Sequence, residues 1–500
     1  MDKSLIIVGS GMAGLSAGCY ARMNGFKTTI FEKHSIPGGL CTAWKRKGYT
    51  FDISMHLVTG STSGPFNQMW QELGVMKNIK FHFHDHYAMI EGSGKKLLFS
   101  TDKEFVRKQM VDISPADKKL INEFTELIFH SDMLEAASLK PASLSTLKEK
   151  LKVIPYIIPL TGIFMKYGKK TLQDFAALFK DPFLRDAVRF LVDSPGWPMP
   201  DFPMITLAGY INTSVVKSGV PLGGSQQVAF KISDLFRDLG GELKFNKRVS
   251  DLIVKDNNVS GVRLENGSEH LADFVLWAAD GRTLIYDILK EKYISPAVCE
   301  MYNNWTPVKS IVHVMFGVNR DFSAEPHRTV FALEKPEIIA GEERKWLCML
   351  HHSFDKSMSP EGKSVVEVWY DTDYDYWEKL YTDKDKYKAE KKKIAEFTIS
   401  QLERRYPGFA SQIEVTDVPT PMTYKRYTDN WRGSPDGWYM TNSNIRKMEP
   451  VHNLPGLNGL YMAGQWTAPY TGTVIAALSG RQVVEILCKR EGKKFLSSTN

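Results

Sequence analysis

Cysteine is scarce in this chain: five residues in 500 (Cys19, Cys41, Cys299, Cys348 and Cys488), scattered and without a Cys-x-x-Cys pair. That argues against an iron–sulfur or zinc site and against a disulfide framework, and it fits a reducing compartment. Long apolar runs are missing as well. Leu5–Val8 ends in glycines after four residues, too short for the core of a secretory signal, and no run approaches the roughly 20 residues that span a bilayer. A cytoplasmic protein, not integral to the membrane, is expected. Neither sign of charge dominates: the formal net charge is +7 and the pI about 8.8. Simple solubility explains that balance, although it permits attraction to anionic lipid. No basic–aromatic module points to nucleic acid, and no Gly-x-Ser-x-Gly points to hydrolysis. Five hundred residues exceed one ordinary core, so two intertwined domains are expected.

Glycine, by contrast, is concentrated where a ligand could use it. The apolar strand Leu5–Val8 runs into Gly9-Ser10-Gly11-Met12-Ala13-Gly14, followed by a helix-like stretch to Asn24 and a second strand Lys27–Phe31 that ends at Glu32 and Lys33. Such a turn lets the backbone approach a pyrophosphate, and the helix N-terminus offers free N–H groups and a positive dipole end. Glu32 stands where a carboxylate accepts hydrogen bonds from ribose hydroxyls. Strand, glycines, helix, strand and acid occur in the order a dinucleotide site requires. Pro37-Gly38-Gly39-Leu40 and Gly48–Asp52 follow, the paired glycines allowing a second loop to lie against the cofactor. Near the other end, Gly459–Gln465 reads as strand and turn. A helix from Thr473 or Val474 to about Arg490 could aim its N–H groups at the pyrimidine edge of an isoalloxazine ring.

On these residues the chain resembles the phytoene desaturase family of FAD-dependent oxidoreductases, with its carotenoid isomerases and retinol saturases. Further matches are Gly219–Gly224, Leu239-Gly240-Gly241, Ala278-Ala279-Asp280 with Thr283, and Leu460–Gly464. The resemblance spans the whole chain and is loosest between about 100 and 215. It implies non-covalent FAD, with Gly9, Gly11, Met12, Ala13, Gly14, Glu32, Lys33, Gly38, Gly39, Leu40, Val249, Ala279, Asp280, Gly464, Gln465, Thr473 and Val474 around the cofactor. Two departures matter. Leu40 stands where many relatives carry arginine, and Gln465 replaces an acid that often follows the glycine. There is no second complete fingerprint, so electrons would pass at the flavin's open face to or from an external partner: a pyridine nucleotide, a quinone or oxygen.

Along the chain, Lys80–Tyr87 and Lys95–Ser100 read as strands. The pattern then turns helical from about 102 to 191, in pieces at Phe105–Val111, Lys118–Phe129, Leu144–Leu151 and Leu172–Phe179. Val153–Met165 is apolar with two prolines: either a membrane-dipping entrance, as the resemblance suggests, or a buried helix. Gln226–Leu239 is amphipathic and ends at Gly240, and a hairpin turns at Asp256–Asn258. Strands at Ser310–Val318, Lys345–Leu350 and Ser364–Trp369 suggest an antiparallel sheet over the flavin, and Lys384–Arg405 reads as a charged, solvated helix. The fold expected is α/β: a discontinuous Rossmann-type FAD domain (1–90, 215–290 and 455–500) and an α+β substrate domain (91–214 and 291–454) combining an antiparallel sheet with a helical entrance region.

Other constellations carry less. His82, His84 and His86 alternate as though on one strand face, yet only Asp85 is near, so no metal site is expected. Asp371, Asp373 and Asp375 lack the glycine and glutamate of a calcium loop. Asp52 suits a structural role, satisfying loop N–H groups. His56 is a weak candidate for the catalytic proton carrier. Trp431, Trp438, Trp466 and Tyr470 flank the flavin edge and could wall a long apolar substrate, or simply pack a core. The leading expectation is an FAD-dependent oxidoreductase acting on carbon–carbon bonds of an isoprenoid or polyene by hydride transfer, with peripheral membrane contact left open. The alternatives are a flavin amine oxidase, a fatty acid hydratase-like enzyme, or a lipid carrier with structural FAD.

Overall fold

The computed structural model describes residues 3–54, 56–129, 137–152, 154–158, 161–212, 217–447, 449–469 and 472–498. Its architecture is mixed α/β. A five-stranded sheet runs in the order Leu460–Met462, Phe274–Trp277, Ser4–Val8, Lys27–Phe31, Glu242–Lys244, with every neighbouring pair parallel. Unbroken apolar runs such as Leu5–Val8 suit a strand covered on both faces, and all four of its apolar residues are buried. On one face the helix Met12–Met23 packs against the helices Ser225–Asp238 and Thr473–Arg490. Gly480 makes this possible, since a Cβ there would lie 2.2 Å from the Ala13 carbonyl oxygen. The other face is closed by the antiparallel strands Val249–Lys255, Asn258–Leu264 and Glu269–Leu271. Three distant stretches of sequence therefore meet in one layer.

The second layer is a seven-stranded sheet in the order Ile413–Asp417, Ser310–Val318, Ser364–Thr372, Glu342–His351, Arg328–Ile339, His86–Gly92, Lys95–Ser100. It is antiparallel except where Arg328–Ile339 meets His86–Gly92 in parallel, a pairing that corrects the purely antiparallel expectation. Alternation along its strands serves two cores. Val312, Val314, Phe316, Val366, Val368 and Tyr370 face the helix Lys384–Arg405. Ile311, Val330, Cys348, Leu350 and Trp369 face the helical region, where Lys118–Phe129, Pro182–Arg189 and Met204–Ile211 pack.

Three further expectations change. Lys80–Tyr87 is not one strand: Phe81–His82 pairs with Val220–Pro221, and a new strand starts at His86. The hairpin 86–100 belongs to the seven-stranded sheet, so a domain boundary at 90 would cut through it and belongs before His86. On the helices Ile154–Ile157 and Thr161–Tyr167 and between them, Ile154, Tyr156, Ile158 and Met165 are exposed, while Phe164 and Tyr167 turn toward the helical core. The buried-helix reading therefore fails for those four residues.

Candidate active site

One cavity of about 680 Å³ runs from the glycine turn of the parallel sheet to the seven-stranded sheet and the helical region. At the first end Gly9, with φ at +96°, lets the chain turn. The Gly38 amide donates to the Ser10 carbonyl at 2.9 Å, laying the second glycine loop beside the first. Glu32 is buried at the strand end: one oxygen accepts from the Ser10 amide and hydroxyl at 2.8 Å each, the other from the His34 amide at 2.8 Å. Its carboxylate is thus fixed at the cavity wall with lone pairs left for further donors.

Of the residues expected around the cofactor, Gly9, Gly11, Met12, Ala13, Glu32, Lys33, Gly38, Gly39, Leu40, Val249, Ala279, Asp280, Gly464, Gln465, Thr473 and Val474 all line this cavity. Gly14 does not. A Cβ on it would sit 2.0 Å from the Gly9 carbonyl oxygen, so its place is helix–strand packing. Lys33 forms an ion pair with Asp429 at 2.7 Å, and the Asp280 carboxylate is taken by the amides of Thr283 and Trp431.

The cavity fits a flavin dinucleotide. A Cβ on Gly11 would meet no protein atom within 4 Å and would project into space the ligand needs. Gln465 Nε2, on the wall, is buried without a hydrogen-bond partner. The helix Thr473–Arg490 presents its N-terminus at the same wall, a favourable place for developing negative charge. Cys41 also lines the cavity, but burial pushes its thiol up to about 12, so it stays a protonated, poor nucleophile.

Just behind the sheet side of the cavity, off its wall, lie groups that sequence reading missed. Glu367 is fully buried and accepts hydrogen bonds from His352 Nε2 at 2.8 Å and Trp369 Nε1 at 3.0 Å. His313 Nδ1 and His56 Nδ1 lie 3.6 and 3.9 Å from it. Burial opposes its charge, but the His352 hydrogen bond and the surrounding imidazoles hold the carboxyl down to about 2. Burial, only partly offset by Glu367, lowers His56 to about 3. Its neutral ring lies 4.4 Å from the Trp369 indole, on the cavity wall. His56 thus stands as a neutral imidazole on the cavity wall, with the Glu367 carboxylate 3.9 Å behind it.

Asp52, as expected, is structural: it accepts from the amides of Ser54 and Ser225 and the Ser225 hydroxyl. Of the aromatic walls proposed from sequence, only Trp466 among the described residues reaches the cavity. Trp438 is buried among Tyr302, Trp305, Trp431 and Trp466, and with Trp431 lies off the cavity wall; the cluster packs a core. Tyr470 lies outside the described residues. The aromatic wall is instead Tyr87, Trp197, Tyr210, Trp369 and Tyr424. His84 and His86 do meet, with His327 as a third member. The His84 and His327 rings stack face to face at 3.5 Å, so their in-plane lone pairs run side by side and do not converge.

The sequence profile described as flavin containing amine oxidoreductase matches residues 12–488. The chain belongs to that family. Within it, this flavin-containing oxidoreductase is 25% identical over 514 residues to the chloroplastic prolycopene isomerase of Daucus carota, covering 96% of this chain and 79% of that one. It is 24% identical over 505 residues to the lycopene-forming phytoene desaturase of Pseudescherichia vulneris, covering 97% and 99%. Among solved structures, an oxidoreductase from Methanosarcina mazei shares the fold with a TM-score of 0.62 at 14% identity, over 96% of this chain and 100% of that one. The protein is an FAD-dependent oxidoreductase.

Proposed function

We propose that this oxidoreductase acts on carbon–carbon bonds of an isoprenoid or polyene chain, by desaturation, saturation or isomerisation. The observation that carries the reading is the continuity of one cavity. The loops that suit FAD open directly into a chamber walled by Val192, Trp197, Met199, Tyr210 and Trp369, beneath the helical region. Relatives named for carotenoid desaturation and isomerisation support it. Residues 1–85, 215–290 and 455–500 would hold the cofactor, with Glu32 on the ribose, the Gly9–Ala13 turn at the pyrophosphate, and Gln465 and the Thr473–Arg490 helix at the ring. When bound, FAD supplies hydride transfer. The chain's own task is to hold the reacting bond flat, exclude water, and handle the accompanying proton at His56 with Glu367 and His352 behind it. A net redox direction requires an external electron donor or acceptor.

The segment 147–165 extends the reading to a membrane surface. Leu147, Leu151, Ile158 and Met165 are 73%, 50%, 60% and 85% exposed, and Lys148, Lys150 and Lys152 lie among them. Apolar side chains interleaved with lysines suit the interface of an anionic bilayer, the source of an apolar substrate.

The test is binding of a homologous series, read by perturbation of the flavin spectrum. Each buried methylene contributes about 0.8 kcal/mol, so affinity should rise with polyene length until the chamber is filled. Tighter binding of short amines than of any polyene would overturn the assignment.

A further inference from the structure

The chamber that the proposed function fills with a hydrocarbon chain also carries a full positive charge. Arg328 opens the strand Arg328–Ile339 and lies on the sheet face shared with Val330, Cys348 and Trp369, on the cavity wall. Its guanidinium carbon lies 4.6 Å from the Tyr87 ring centre, the Tyr87 hydroxyl and the Cys348 thiol are close polar neighbours, and the imidazoles of His56 and His327 feel its charge. Its Nε is buried without a hydrogen-bond partner. Among the described residues no Asp or Glu forms an ion pair with it.

Of the other cations on the cavity wall, Lys33 and Arg248 share Asp429 and Arg46 faces Asp417. Lys247, Lys391 and Arg426 sit at the glycine-loop end, beside Glu32, Asp417 and Lys33 respectively, and not in the chamber. Glu367 lies in the same row of the sheet as Arg328, but two strands away across Leu350, roughly 10 Å by interstrand spacing. It is already engaged by His352 and Trp369. An arginine cannot escape burial by losing its proton. A cation–π contact with one ring offsets only part of the cost of taking a guanidinium out of water. What the site lacks is an anion, and the planar fork of donors matches a carboxylate.

We infer that the substrate chain carries an anionic head group, a carboxylate, seated on Arg328 against Tyr87, with its apolar body running past Trp369 and His56 toward the flavin loops. This rests on the chamber being the substrate site. It narrows the class from isoprenoid or polyene chains at large to polyene or isoprenoid acids, and it disfavours ammonium-bearing substrates, which the same charge repels.

The experiment uses the FAD-loaded full chain titrated with retinoic acid, methyl retinoate, a polyene hydrocarbon and a short alkyl amine, followed by the flavin spectrum and tryptophan fluorescence. Wild-type protein should prefer the acid over its methyl ester by roughly a hundredfold, the range for a desolvated charge pair. Arg328→Met should erase that preference with FAD content unchanged, and Arg328→Lys should keep part of it. If Arg328→Met does not fold, the wild-type comparison of acid with ester decides alone. Equal affinity for acid and ester in the wild type overturns the inference. Should the ester and hydrocarbon also bind well, the carbon–carbon reading survives that failure. Binding of amines alone overturns both.

Discussion

Glu32 shows what a single residue can be asked to do at this site. Its carboxylate is locked by Ser10 and His34 at the cavity wall. Removing it subtracts a charged acceptor and also loosens the glycine turn. Glu32→Ala should weaken FAD binding by roughly 1–3 kcal/mol, read by titrating apoprotein with FAD; unchanged affinity would mean that the ribose is held elsewhere. Glu367 makes a different statement. Its pKa falls from 4.5 to about 2, so its ionised form stabilises the fold fully above pH 4.5 and that contribution fades as pH drops toward 2. His352, raised above 6.5 mainly by its hydrogen bond to Glu367 against the effect of burial, contributes fully below 6.5 and less as pH rises through its folded value. The pair is therefore strongest between these limits. Glu367→Gln should cost roughly 3 kcal/mol at pH 5–6 and flatten the acid limb of Tm against pH; equal slopes for both proteins would refute the assignment. Glu32 and the glycines were legible because their geometry is local backbone. Glu367, His352 and Arg328 were not, since only strand register unites them. The one hint was Glu367 two places before Trp369 on a valine-rich strand.

At the scale of elements, periodicity carried far. The helices Lys118–Phe129 and Lys384–Arg405 and the strand Ser310–Val318 stand where their patterns place them. Arg328–Ile339 escaped because Glu334–Glu337 interrupts its alternation, where the ladder to Glu342–His351 shifts register. Trp438 misled because indoles that wall a pocket and indoles that pack a core look alike in sequence. The exposed helices at 147–165 belong to this scale too. The protein should co-sediment with vesicles containing anionic lipid, less so in high salt, and Leu151→Glu with Ile158→Glu should release it while leaving FAD bound. Equal sedimentation of the double variant would show that contact lies elsewhere.

In the whole molecule, residues from the first 35 positions, from 242–277 and from 460–490 build one face of the cavity, and the sheet between 310 and 417 builds the other. The sequence announced the first face, whose glycines must meet a cofactor whatever the substrate. It was nearly silent on the second, where chemistry is chosen. The most direct test is anaerobic. Oxidised and photoreduced enzyme are each mixed with polyene acids, polyene hydrocarbons and amines, while the flavin's visible band and the substrate's double bonds are followed together. A polyene should change its bond pattern, by gain, loss or isomerisation of a double bond, and flavin oxidation state should change in step wherever bond count changes. Flavin reduction by amines alone, with every polyene recovered intact, would contradict it.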